Sequence, residues 1–225
     1  MSSKKILLVS GCSYTTRFWT SVHHPKLKTT WAKWPELLGE KLNMDVINLG
    51  NAGAGNEYIF ASLYDHLNQI NHDQIGMVIA AWSQCHRRDW SKFGHWTNLF
   101  NDKDGDMNYH LQKSLRFYYM FQCLTQDLPA YQFQMIRMHS GINLTDKQRD
   151  QFARELYHNQ YFKLIDKKKF LGWPTLKILE GWNMKDDVLG GYGEGGLKYA
   201  VSEHDTHPNE LGQQKIAEHL YDLLG

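Results

Sequence analysis

Two residue types that together make a nucleophile and its base stand at opposite ends of this sequence. Near the start, Gly11-Cys12-Ser13-Tyr14-Thr15 offers a serine hydroxyl just after a glycine, and near the end His204-Asp205-Thr206-His207-Pro208-Asn209 offers a histidine with a carboxylate two residues before it. A serine hydroxyl is a weak nucleophile by itself; it becomes effective when an imidazole takes its proton and a third group orients that imidazole. Ser13, His207 and Asp205 are therefore the candidate catalytic set. Taken singly each has a plainer reading, since Ser13 can simply cap the next helix and a histidine before a helix is ordinary.

A third segment, Asn48-Leu49-Gly50-Asn51-Ala52-Gly53-Ala54-Gly55-Asn56, lies between them. Its glycines let the backbone approach a ligand or aim N–H groups into a cavity, where they can receive a developing oxyanion. A nucleotide-binding loop is the rival reading. Its fingerprint runs G-x-G-x-x-G after the first strand, whereas this loop runs G-x-x-G-x-G after the second and carries no basic residue for a phosphate.

The elements that must position these loops follow from periodicity. Residues 4–10 hold the apolar run Ile6-Leu7-Leu8-Val9, closed by Gly11, which predicts a strand buried on both faces. Trp34, Leu37, Leu38 and Leu42 fall near helical spacing within Trp31–Leu42, Asp45–Leu49 reads as a second strand, Glu57–Ile70 as a helix and Met77–Trp82 as a third buried strand. That alternation predicts a parallel sheet of about five strands covered by helices. Ligands in such a sheet bind at the carboxyl ends of the strands, where all three loops would lie.

Beyond Trp82 the rhythm loosens. Residues 83–110, with the polar loop Asn101–Asp106, read as an irregular insertion or cap at the active edge. After it come a helix over Leu111–Leu124, a strand over Tyr131–Met138, a polar helix over Asp146–Lys167 capped by Thr145, a glycine-rich loop over 190–196, and a last helix over Asn209–Leu224 with Pro208 at an early helical position. At 225 residues and 42% hydrophobic, residues 1–225 are expected to form one domain.

Composition removes several classes of function. A formal net charge of +1 gives no reason to expect a nucleic acid or an anionic membrane as partner. Cys12, Cys85 and Cys123 lack any C-x-x-C spacing, which argues against a disulfide framework and a structural zinc site. His23, His24, His204 and His207 find no carboxylate or cysteine arrangement that completes a metal site, so neither metal nor cofactor is expected. Lys4 to Cys12 is patterned like a lipoprotein cleavage box, yet its apolar run is shorter than the roughly 7–15 residues of a signal core, and nothing approaches the roughly 20 of a membrane span. A cytoplasmic location is expected. The oligomeric state is not readable.

The ordered set of three loops resembles the SGNH (GDSL-like) hydrolase family of esterases, lipases, thioesterases and carbohydrate acetyl-esterases, and the resemblance implies a flavodoxin-like three-layer α/β/α sandwich. Gly11-Cys12-Ser13 stands where that family has Gly-Asp-Ser, Asn48 to Gly53 looks like its second block, and His207-Pro208 looks like its last. The resemblance implies Ser13 as nucleophile, His207 as base, and the amides of Ser13 and Gly53 as oxyanion donors. Two departures stand out. The family's Gly-x-Asn-Asp block corresponds to Ala81-Trp82-Ser83-Gln84, so either Ser83 or Gln84 supplies the third oxyanion donor or turnover is slow or lost, and the family's acid lies three residues before the histidine, where this chain has His204. Losing one oxyanion donor costs roughly a hundred- to a thousand-fold in turnover.

Trp82, Trp90 and Trp96 are candidates to line a cleft for a sugar ring or acyl chain, and Arg87 to bind an acidic group, although aromatics pack cores and such charges form solvated pairs at least as commonly. The expected activity is hydrolysis of a small O-acyl ester, on a small molecule or a glycan, through an acyl-serine intermediate. The alternatives are a binding or structural protein that keeps this fold without turnover, and a nucleotide-binding module.

Overall fold

The structure, a computed structural model, describes residues 4–92, 95–99, 106–140, 144–191 and 193–224. Strand β1 (Ile6–Ser10) is followed by α1 (Trp34–Leu42), β2 (Asp45–Asn48), α2 (Asn56–Leu67) and β3 (Ile75–Trp82). A hairpin of β4 (Arg88–Lys92) and β5 (His95–Leu99) precedes α3 (Met107–Leu124), β6 (Ala130–Gln134), α4 (Asp146–His158), β7 (Phe170–Leu171), α5 (Glu194–Leu197) and α6 (Glu210–Leu224). The main sheet has the order β2-β1-β3-β6-β7 and every pairing in it is parallel. This is the predicted three-layer sandwich of five strands.

The chain reverses its direction across the sheet at β1. Right-handed crossovers then put α1 on one face and α2 on the other, and open a crevice beyond the carboxyl end of β1. Leu7, Leu8 and Val9 are fully buried, as a strand covered on both faces requires. On the α1 face Trp34 packs edge-on against Phe133, 5.7 Å between centroids. On the α3 face Trp82 lies 4.9 Å from Tyr118, which in turn meets Phe170 at 5.3 Å. Among the polar groups there, Gln132 accepts from Trp82 Nε1, and Gln134 accepts from Tyr118 Oη while donating to the carbonyls of Ser83 and Ile136, whereas the Trp34 indole N–H has no acceptor among the described residues.

Several boundaries differ from the sequence reading, each for a local reason. The fourth predicted strand stops at Gln134, whose amide captures the Ile136 carbonyl and bends the chain out of the ladder. Helix α4 stops at His158, because Asn159 is extended and its side chain accepts from the Tyr161 N–H, a turn that competes with helix. Pro208 lies outside α6, since Asn209 supplies the cap by accepting from the Gly212 N–H. The insertion contains an antiparallel hairpin in place of irregular chain; most of its predicted polar loop, residues 101–105, lies outside the described residues. The two-residue β7 had no periodic signal. Among the described residues no helix is long and apolar enough to cross a membrane.

One buried side chain fastens the two ends of the chain together. Gln213 of α6 accepts from the Trp34 N–H at the start of α1 (2.8 Å) and donates to the Tyr14 carbonyl in the turn after β1 (3.3 Å). Replacing it leaves both partners buried without a bond. Gln213→Leu is expected to lower stability by about 1–3 kcal/mol per group stranded, read as a fall in the urea midpoint at unchanged slope.

Candidate active site

The turn after β1 is built to present one side chain. The N–H groups of Thr15 and Thr16 both donate to the Cys12 carbonyl (2.8 and 3.1 Å), and a Cβ at Gly11 would stand 2.2 Å from Thr15 Oγ1, so only glycine admits this turn. Cys12 is buried beneath it and Ser13 is left half-buried. On the last loop, Asn209 Nδ2 donates to the carbonyls of Lys198 and Ala200, and Tyr14 Oη donates to the Thr206 carbonyl at 2.8 Å. The two loops are thereby tied to each other directly.

These ties bring the three candidate residues into one line. Ser13 Oγ lies 2.8 Å from His207 Nε2, across 194 residues of sequence, and His207 Nδ1 lies 2.6 Å from Asp205 Oδ1. Asp205 accepts the Nδ1 proton, which leaves Nε2 bare to accept from the Ser13 hydroxyl. The spacing of two residues between acid and histidine thus suffices. His204, at the position of the family's acid, is exposed and faces Glu203 at 3.3 Å.

The surroundings of the line were not legible in the sequence. The indole of Trp19 stacks on His207 with centroids 4.2 Å apart and planes 25° apart, while Tyr14 approaches the same imidazole at 5.0 Å. Ser21 Oγ donates to Asp205 Oδ2, and Ser21 itself accepts from the His24 N–H. Asp205, its side chain only 3% exposed, therefore has both oxygens engaged. Burial pushes its carboxyl up, but the bonds from Ser21 and His207 outweigh that and hold it below its ordinary value. His207 is lowered by burial; Asp205 opposes this, and the positive charges of Lys185 and Arg87 add to it. The imidazole is accordingly neutral near pH 7, the form in which it can take a proton.

The glycine loop after β2 is fastened from two sides. Its Leu49 and Asn51 N–H groups donate to the Val9 and Gly11 carbonyls at the edge of the serine turn. From the other side, Asp89 of the hairpin accepts from the N–H groups of Gly55 and Tyr58 (2.8 and 3.0 Å), capping α2 from another element, and Arg87 donates to the Ala54 carbonyl at 2.8 Å. A Cβ at Gly55 would meet Asp89 Oδ2 at 2.6 Å. Gly53 sits at φ +77°, in the left-handed region.

Four of the residues expected to meet the substrate are packed against protein instead. Trp82 is fully buried and bonded to Gln132, hence core. Ser83 is fully buried as well, its N–H held by Asn56 at 2.8 Å, so it offers no surface to an oxyanion; Gln84, half-buried, is the remaining side chain of that block. Arg87 is buried against the glycine loop. Trp96 packs edge-on against Tyr58 at 5.2 Å. Because Trp90 pairs with Thr97, and Trp96 with Ser91, the two tryptophans occupy opposite faces of the hairpin, and Trp90 is the one left 43% exposed. Among the described residues no group of three ligands could hold a metal.

No protein-family model and no curated protein matches the sequence. Solved structures do match the fold. A G-D-S-L-family protein from Desulfitobacterium hafniense DCB-2 aligns at TM-score 0.52 and 12% identity over 98% of this chain and 99% of that one. The chain has the fold of the SGNH (GDSL-like) hydrolases. A psychrotrophic esterase from Pseudoalteromonas sp., in a structure inhibited by monoethylphosphonate, aligns at TM-score 0.52 and 14% identity over 98% and 96% of the two chains. The acetylxylan esterase of Geobacillus stearothermophilus aligns at 0.52 and 15%, over 99% and 95%. Identities this low establish shared architecture, and chemistry on the SGNH fold has to be argued from the residues themselves.

The electrostatics of His207 carry a direct test. Its imidazole, followed by NMR, is expected to titrate below its ordinary value of about 6.5. Lys185→Met removes a positive charge that disfavours protonation, so the midpoint should move up in pH; an unchanged midpoint would show that Lys185 has no part in setting it.

Proposed function

We propose that this chain is a serine esterase that hydrolyses small O-acyl esters through an acyl-Ser13 intermediate. The observation that carries the reading is the continuous line Ser13 Oγ, His207 Nε2, His207 Nδ1 and Asp205 Oδ1, with steps of 2.8 and 2.6 Å. Each contact lies within proton-transfer reach.

In this mechanism Ser13 Oγ attacks the ester carbonyl carbon as its proton passes to His207 Nε2. Asp205, already anionic and bonded to Nδ1–H, stabilises the imidazolium that forms. The carbonyl oxygen becomes an oxyanion, received by the backbone N–H groups of Ser13 and Gly53, with the Gln84 amide at the rim. Collapse breaks the bond to the alcohol oxygen, which takes the proton from His207 and leaves. Water then gives a proton to Nε2 as its oxygen attacks the acyl carbon; the second tetrahedral species expels Ser13 Oγ, which recovers that proton, and the carboxylic acid departs. Only water is consumed, so no cofactor enters.

Acetyl esters of carbohydrates are the favoured substrates, in keeping with the acetylxylan esterase that shares the fold. Three cysteines without disulfide spacing suit a reducing, cytoplasmic setting.

A fluorophosphonate probe is expected to label Ser13, identified by mass mapping, and p-nitrophenyl acetate to be hydrolysed. Ser13→Ala and His207→Ala should each abolish turnover, and Asp205→Asn should lower kcat by about 10⁴-fold by favouring the wrong imidazole tautomer. A folded protein that neither takes the label nor turns over the ester would instead be a binding protein on this scaffold.

A further inference from the structure

The loop between β1 and α1, residues 17–33, encloses a groove of about 630 Å³. That is within the range of roughly 300–1,000 Å³ occupied by small-molecule sites. Trp19 borders this groove and also lies against His207, 4.2 Å between centroids. In the acyl-serine reaction His207 must hand its proton to the departing oxygen, so the alcohol part of the ester leaves on the His207 side. Neither Ser13 nor His207 lines the groove, and Trp19 is the residue that joins it to the imidazole.

The groove has a definite chemistry. Its ring-bearing walls are Phe18, 86% exposed, with Trp19 and Trp31. Its charged groups are Arg17, Lys28 and Lys33 against the single carboxylate of Glu36. One oxygen of that carboxylate is engaged, since Glu36 Oε1 accepts from Arg17 Nε at 2.6 Å and from Asn48 Nδ2 at 3.1 Å, while Oε2 is buried with no donor among the described residues. Lys33 is buried, its ammonium donating to the carbonyls of Thr29 and Trp31 and lying 4.7 Å from the Trp31 ring. The indole N–H groups of Trp19 and Trp31 are buried with no acceptor among the described residues. Flat apolar faces and a surplus of positive charge call for a ring that carries negative charge.

We propose that this groove binds the alcohol part of the substrate, and that this part is a flat-faced ring bearing an acidic group. The proposal rests on the acyl-Ser13 reading and goes beyond it in naming the acid. A matched pair of acetyl esters tests it: 4-acetoxybenzoate, which is anionic, and 4-acetoxybenzamide, which is neutral, with 4-acetoxyphenyl phosphate to distinguish a carboxylate from a phosphate.

At low ionic strength kcat/KM should favour the anionic esters by about tenfold, and the preference should shrink in about 1 M salt. The larger of the two anionic preferences assigns the acid. Lys28→Glu, at an exposed position, should abolish the preference by lowering kcat/KM for the anionic esters more than for 4-acetoxybenzamide. Equal rates on the matched pair, or a preference that survives Lys28→Glu, overturns the proposal. If the protein turns over no ester at all, the acyl-serine reading fails separately, and calorimetry with 4-hydroxybenzoate against 4-hydroxybenzamide judges the groove: binding of the anion that Lys28→Glu removes supports it, and absence of binding overturns it.

Discussion

Everything proposed for this chain depends on one hydroxyl meeting one imidazole across 194 residues of sequence. A neutral hydrogen bond is worth only about 0.5–1.5 kcal/mol net, too little to hold two loops in register by itself. The register comes from the scaffold instead. Gln213 bonds the last helix to both α1 and the serine turn, Tyr14 Oη reaches the Thr206 carbonyl, and Asn209 braces the histidine loop against the 198–200 segment. The parallel sheet makes the meeting topologically natural, since the loop after β1 opens at the point where the chain reverses direction across the sheet.

Charge is placed with equal economy. Asp205 keeps its negative charge in a buried position because Ser21 and His207 both donate to it, and His207 stays neutral because burial and two nearby cations disfavour its protonation. Acid and base are thus pushed to the two protonation states that proton transfer from serine requires. On the opposite side, burial raises Asp89 above its ordinary value, the amides at the start of α2 oppose that in part, and the same contact fixes the glycine loop. The hairpin therefore serves as a clamp on that loop.

The sheet was largely legible because its strands are short, continuous apolar runs closed by glycine or polar residues, and because helical spacing between them is regular. Ser13, His207 and Asp205 were legible as residue types in the right order along the chain. The clamp and the second layer were not. Ser21 and Trp19 lie in a segment with no periodicity, and a serine eight residues beyond the nucleophile gives no hint that it will face Asp205. Trp82 and Ser83 were misread for the converse reason: position after a strand indicates the right edge of the sheet, but not which side chains at that edge turn inward. Trp96 was misplaced because the hairpin register, which sends neighbouring residues to opposite faces, had no signature in the sequence.

The loop over residues 17–33 has two duties that usually belong to separate parts of an enzyme. Its groove-facing residues line the proposed alcohol site, and its Trp19 and Ser21 support the imidazole and its carboxylate. Divergence at Trp19 or Ser21 would disturb the proposed proton relay together with any preference set in the groove. A graft meant to transplant selectivity onto a relative would have to carry that indole and hydroxyl with it, or arrive with a slackened base.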